Sequence, residues 1–198
     1  MNYKTFEDLP RGKYDFILVD FPWDYYASTH TNQVLNHYDT MTIEEGSRMP
    51  FRELFRDAKS AVAFFWATAP LMHLCFKLGE SLDLQYRGTP YVWVKTKRDA
   101  PNTPIGATGV RPTFVKPICE FVLAFTYRKK GRPLPILQEN QSQLILAPRG
   151  EHSEKPSLIY TKIEDLFGRH TPRLDMFSRT SREGWDSFGN EVDTLPRK

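Results

Sequence analysis

The stretch YDFILVD, Tyr14 to Asp20, constrains this chain more than any other, because it is nearly all apolar and ends abruptly in an acid. A strand with one wet face alternates polar and apolar residues. An unbroken apolar run instead predicts a strand covered on both faces, as in a parallel sheet. Similar runs recur at Ala61 to Trp66, Tyr91 to Val94, Phe121 to Tyr127, Leu144 to Leu146 and Leu174 to Phe177. Apolar residues at helical spacing predict helices over Pro70 to Leu82, with proline in its first turn, and over Pro156 to Phe167, stopping before Gly168. A shorter helix is expected over Arg48 to Ala58. Strands separated by helices predict an α/β doubly wound sheet, in which loops leaving the carboxyl ends of the strands line the ligand crevice.

At 198 residues the chain is expected to form a single domain. Its 40% apolar and 14% aromatic content suffices for a sizeable core and excludes a disordered chain. No apolar run reaches the roughly 18 residues of a membrane span, and the opening MNYKTFEDLP lacks a signal-peptide pattern, so a cytoplasmic protein is expected. Cys75 and Cys119 lie far apart, without neighbours at metal-ligand spacing, which predicts neither a disulfide framework nor a metal site.

The net charge of +3 is small but unevenly spread. From Arg87 to Arg132 ten basic residues face only Asp99 and Glu120, interleaved with Tyr91, Trp93, Phe114 and Tyr127. Such a pattern suits nucleic acid, where cations meet phosphates and aromatic rings meet exposed bases; a solvated basic face is the competing reading. Two long polar stretches, Tyr25 to Thr42 and Thr96 to Lys116, lack periodicity and are candidates for substrate-binding loops. The former holds His30 and His37, which could touch nucleic acid beside the tetrapeptide but are read first as solvated loop residues; His73 and His170 receive no role.

The sharpest chemical signal is Asp20, Phe21, Pro22, Trp23, at the end of the first strong strand. An exocyclic amine on a nucleobase is a poor nucleophile, because its lone pair is delocalised into the ring. An enzyme that alkylates it must hold the amino hydrogens in acceptors that favour a pyramidal nitrogen and disperse the developing positive charge. The Asp20 carboxylate and the Phe21 carbonyl supply two such acceptors. Pro22 stiffens the turn, and Trp23 offers a face on which an extruded base can stack. A second constellation follows near the carboxyl terminus: EHSEKP (Glu151 to Pro156), LDMFSR (Leu174 to Arg179) and GNE (Gly189 to Glu191). A cationic methyl donor with an amino acid end and a ribose needs a cation for its carboxylate and acceptors for its hydroxyls, which Lys155, Arg179, Asn190 and Glu191 can provide.

These segments together resemble the MTA-seventy family of adenine-N6 methyltransferases. The resemblance covers nearly the whole chain, through DFPW at 20 to 23, YDTM at 38 to 41, FFWAT at 64 to 68, WVK at 93 to 95, CEFVLAFTYRKKG at 119 to 131, EHSEKP at 151 to 156, DMFSR at 175 to 179 and GNE at 189 to 191. It implies a Rossmann-like class I methyltransferase fold, circularly permuted so that the catalytic tetrapeptide precedes the cofactor-binding strand. It also implies S-adenosyl-L-methionine as donor and nucleic acid as acceptor, DNA in preference to RNA; whether the chain acts as a homodimer or with a second subunit stays open. By motif, Asp20, Phe21, Pro22 and Trp23 form the catalytic turn, Tyr38 closes over the adenine, and Lys95 binds substrate. Lys155, Arg179, Asn190 and Glu191, with Asp20, face the cofactor. The family's usual tetrapeptide is DPPW, so Phe21 departs at the second place, and its usual EH after WVK is here Glu120, Phe121. Two other functions fit the same logic: a catalytically silent nucleic-acid-binding subunit, and a protein glutamine methyltransferase, whose usual motif is instead an Asn, two prolines and a Tyr.

Overall fold

In this computed structural model the described residues are 1–23, 40–106, 114–150 and 154–189. The strands are β1 (Asn2–Tyr3), β2 (Phe16–Val19), β3 (Val62–Thr68), β4 (Gln85–Thr96), β5 (Cys119–Thr126), β6 (Leu144–Pro148), β7 (Arg173–Met176) and β8 (Asp186–Phe188). The helices are α1 (Ile43–Ser47), α2 (Phe51–Leu54), α3 (Met72–Ser81) and α4 (Leu158–Phe167). One eight-stranded sheet runs in the order β1-β8-β7-β2-β3-β5-β4-β6. All neighbours are parallel except β5, which is antiparallel to both β3 and β4.

All four residues of β2 are buried, as a central strand with parallel partners on both sides requires. Alternation along it feeds two cores. Ile17 and Val19 pack with Phe65, Leu78, Cys75 and Phe125 under α3, whereas Phe16 and Leu18 pack with Trp66, Trp93, Ile159 and Ile163 under α4. From β2 the chain moves one way, to β3, and from β7 it moves the other way, to β8. The β2/β7 boundary is therefore the topological switch point, where open α/β sheets hold their ligands. Because β2 comes long before β7 in the chain, this is the permuted class I arrangement that the resemblance implies.

Several elements differ in detail from the sequence expectation. The helix expected at Arg48 to Ala58 is only the four residues of α2, because Pro50 sits at its N-cap and ends the continuity with α1. The helix expected from Pro70 opens as a 3₁₀ turn over Ala69–Leu71 and becomes α-helical at Met72. β4 starts at Gln85 rather than Tyr91, and irregular pairing around Gly88, at φ +125°, absorbs the Gly and Pro residues that hid it. β1 and β8, of two and three residues, carry no readable period. Gly168 does end α4, at φ +96°.

Candidate active site

The carboxyl ends of β2, β3, β4, β6, β7 and β8 and the amino end of β5 all lie along one edge of the sheet, since Thr68 pairs with Glu120, Trp93 with Glu120 and Thr96 with Pro148. Asp20 follows β2 directly, and its amide donates to the Met176 carbonyl at the end of β7 (3.2 Å). It therefore stands at the switch point itself, with a side chain 42% exposed.

The loop from β6 to α4 returns Lys155 to this point. Its Nζ lies 3.1 Å from Asp20 Oδ2 and 3.1 Å from Glu120 Oε2, and 5.3 Å from the centroid of the Trp66 ring. Lys95 reaches the other oxygen of Glu120 (2.7 Å). Asp20, Lys155, Glu120 and Lys95 thus form an alternating chain of charge, with Lys155 only 13% exposed. Burial by itself would lower the Lys155 ammonium, but Asp20 and Glu120 outweigh it and hold the group above its ordinary range. Burial pushes Glu120 upward in the same way, and the two lysines outweigh that and hold its carboxyl below the ordinary range. An ammonium has three N–H bonds, and the described residues engage two of them on Lys155.

The tetrapeptide turn is fixed from both sides. The Trp23 amide donates to the Phe21 carbonyl (2.9 Å) across Pro22, and the Met41 amide donates to the Pro22 carbonyl (2.7 Å). A carbonyl has two lone pairs, and among the described residues one of those on the Phe21 oxygen is engaged, by the Trp23 amide. Met41 is the last residue of the YDTM segment, and Thr42 after it caps α1 reciprocally with Glu45. Met41 is thereby moored to the DFPW turn on one side and to a helix on the other. Trp23 is 7% exposed, its ring packed against Phe21 at 5.2 Å, and its indole N–H has no partner among the described residues. Cys75, under this turn, has its thiol pushed up to about 12 by burial, which leaves it unreactive.

On the β7 side, Asp175 is buried and accepts a hydrogen bond from Tyr160 of α4 (2.9 Å). Burial pushes its carboxyl up to about 7; the Tyr160 hydroxyl pulls it down and the nearby Asp20 charge pushes it further up. Arg179 follows β7 and engages other residues of the chain. Gly189 follows β8, where a Cβ would collide with the Ser178 carbonyl oxygen, so only glycine lets the end of β8 close against the turn after β7. Tyr38, Asn190 and Glu191 lie outside the described residues, as do His30 and His37. The structure thus brings Asp20, Phe21, Pro22, Trp23, Lys95, Lys155 and Arg179 to one edge of the sheet. Sequence reasoning assigned no role to Glu120, Tyr160 or Asp175. A lone acid opening the apolar run CEFVLAF was the available signal for Glu120.

The basic middle of the chain divides in two. Lys95, Lys97 and Arg98 lie at the active-site edge, whereas Arg87, Arg128 and Arg132 lie at the opposite edge, where β4 begins and β5 ends. Arg87 there donates to the carbonyls of Arg128 and Gly131, and Arg132 pairs with Glu139. Those cations fasten a loop. Among the described residues no group of three or more His, Cys, Asp or Glu side chains could hold a metal ion, and no helix is long and apolar enough to cross a membrane.

Comparison with known proteins places this geometry in a family. The MT-A70 family model matches residues 14–191. The chain is 29% identical over 213 aligned residues to the type II methyltransferase M.MunI of Mycoplasma sp, covering 96% of this chain and 82% of that protein. It is 25% identical over 185 residues to the N(6)-adenine-specific methyltransferase METTL4 of Mus musculus, covering 90% of this chain and 37% of that longer one. With the family match running from the first buried strand to the segment after β8, the chain belongs to the MT-A70 family of S-adenosylmethionine-dependent methyltransferases.

Proposed function

We propose that this methyltransferase, acting as a single domain, transfers a methyl group to the exocyclic N6 amine of adenine in nucleic acid, DNA in preference to RNA. The observation that carries the reading is the meeting of a half-exposed carboxylate, Asp20, with the neighbouring Phe21 carbonyl and the buried cation Lys155 at the β2/β7 switch point. The preference for DNA rests on the resemblance to compact bacterial members, with which the near full-length match to M.MunI agrees.

S-adenosylmethionine supplies an electrophilic methyl group on a sulfonium. The residues present suit that donor: among the described residues two acids engage Lys155, which leaves it a third N–H for a carboxylate, and the neighbouring acids favour a cation. Arg179, Asn190 and Glu191 are assigned to its ribose and adenine. On the acceptor side, Asp20 and the Phe21 carbonyl take the two amino hydrogens, turning the nitrogen lone pair out of conjugation and toward the donor. Lys155, 3.1 Å from Asp20, holds its carboxylate in place as positive charge develops on the amine. Trp23, nearly covered, walls the base pocket, and Tyr38 closes it. Lys95, tied to Glu120, acts on the substrate side, with Lys97 and Arg98 facing phosphates. The segments at 25–42 and 96–116, or a second subunit, select the target.

Incubation with labelled donor and single- and double-stranded DNA and RNA oligonucleotides, followed by nucleoside mass analysis, tests the reading. N6-methyladenine should appear, most strongly in DNA. Asp20→Asn should cut turnover at least about a hundredfold while donor binding persists; unchanged turnover refutes the role of Asp20. A silent subunit would fail to bind the donor, and a glutamine methyltransferase would bind it yet leave oligonucleotides unmodified.

A further inference from the structure

The departure from DPPW places an aromatic ring between the two halves of the site. Phe21 is 4% exposed, and its ring touches three others: Trp23 in its own turn (5.2 Å between centroids), Phe65 of β3 edge-on (5.1 Å) and Phe177 at the end of β7 (5.5 Å). Phe177 continues the line to Phe188 at the end of β8 (5.4 Å). A row of rings, Trp23, Phe21, Phe177, Phe188, therefore runs from the acceptor turn across the switch point to the donor-side strands. A proline at position 21 has too short a ring to bridge that gap.

Phe177 stands in a conformation that side chains avoid, with φ at +60°. An aromatic residue is disfavoured in the left-handed region and persists there only where its surroundings hold it. Phe21 and Phe188 pack against its ring, and the next residue is pinned by the Ser178 amide donating to the Phe188 carbonyl (3.0 Å). The strained turn leads to Arg179, which the proposed function assigns to the donor. Any ligand that shifts this turn moves Phe177, and Phe177 moves against the ring whose backbone carbonyl is to receive the substrate amine.

We propose that Phe21 is a positioning residue that couples the two ligands: the donor-side turn, when occupied, sets the acceptor turn through Phe177 and Phe21, so that donor binding raises affinity for nucleic acid. The inference rests on the proposed function, since it presumes a donor at the β7 turn and a base at the β2 turn.

The test measures the dissociation constant of an adenine-containing DNA duplex with and without saturating S-adenosylhomocysteine, and takes the ratio, in which general losses of affinity cancel. Wild type should show a ratio of about five or more, and by reciprocity the duplex should tighten the thioether ligand by the same factor. Phe21→Leu, which keeps apolar bulk without the ring, should bring the ratio to about one, and Phe21→Tyr should restore it. Phe177→Gly, which removes the ring and the strain together, should also abolish it and serves if Phe21→Leu does not fold. A wild-type ratio near one, or a full ratio in a folded Phe21→Leu or Phe177→Gly protein, overturns the coupling. Failure of wild type to bind the thioether at all overturns instead the functional reading beneath it.

Discussion

Replacing Glu120 by Gln isolates the buried charges at the site, because the amide keeps the shape of the side chain and removes only its charge. Two ammonium groups, Lys95 at 2.7 Å and Lys155 at 3.1 Å, then lose the carboxylate between them. At about 3 Å and an effective dielectric near 20, each pair attracts by roughly 5 kcal/mol before desolvation is charged against it. Removing one partner of a buried pair costs about 3 to 5 kcal/mol, since the remaining charge stays desolvated. Here Asp20 still pairs with Lys155, so the lower figure applies, about 3 kcal/mol. For a chain of this size that lowers the midpoint of thermal unfolding by roughly 10 °C. Added salt should not restore it, as a buried pair is weakly screened. The pH dependence has a defined sign. The lysines hold Glu120 below its ordinary 4.5, so its contribution is present above that value and is lost as pH falls through the lower folded value. Melting curves of the two proteins should therefore converge in acid. A drop of less than about 2 °C at neutral pH, or one erased by salt, would refute the reasoning.

Three further outcomes follow from the same structure. Asp175, raised by burial from 3.8 to about 7, favours the folded state below its ordinary value and loses that contribution as pH rises toward 7, up to about 4 kcal/mol in all. Urea unfolding across this range should show stability falling for wild type and a flatter profile for Asp175→Asn; parallel profiles would remove Asp175 from the account. Gly189→Ala should destabilise the protein by about 2 kcal/mol or more and weaken donor binding, because the new Cβ meets the Ser178 carbonyl and parts β8 from the β7 turn; calorimetry with S-adenosylhomocysteine reads both. Lys155→Met should leave Asp20 and Glu120 without their shared cation and weaken donor binding; unchanged affinity for S-adenosylhomocysteine by calorimetry would remove Lys155 from the donor side.

The residues that announced themselves in the sequence were those whose role is local. β2 was legible because both its faces are covered, and the DFPW turn because an acid stands at the end of an apolar run. The motif resemblance carried Lys155 to the site. Its partners were not legible: nothing local says that Lys155 meets Asp20, 135 positions earlier, or that Glu120 lies between two lysines. These are products of strand order, which folds distant residues onto one edge. The same holds for Asp175, whose hydroxyl partner Tyr160 comes from the helix laid across the sheet, and for the aromatic row through Phe21. The basic middle misled by adjacency, since β4 and β5 carry its cations to opposite edges.

The pairing of β2 with β7 also governs how the molecule is made. A chain leaving the ribosome completes the acceptor half first, yet the central strand of the sheet must wait with one ladder bare until more than a hundred further residues have emerged. Closure of so distant a pairing is slow, and until it happens the unpaired edge of FILV invites other chains. The enzyme therefore becomes competent only after the last strands arrive, and its biogenesis should lean on chaperones that shield that edge.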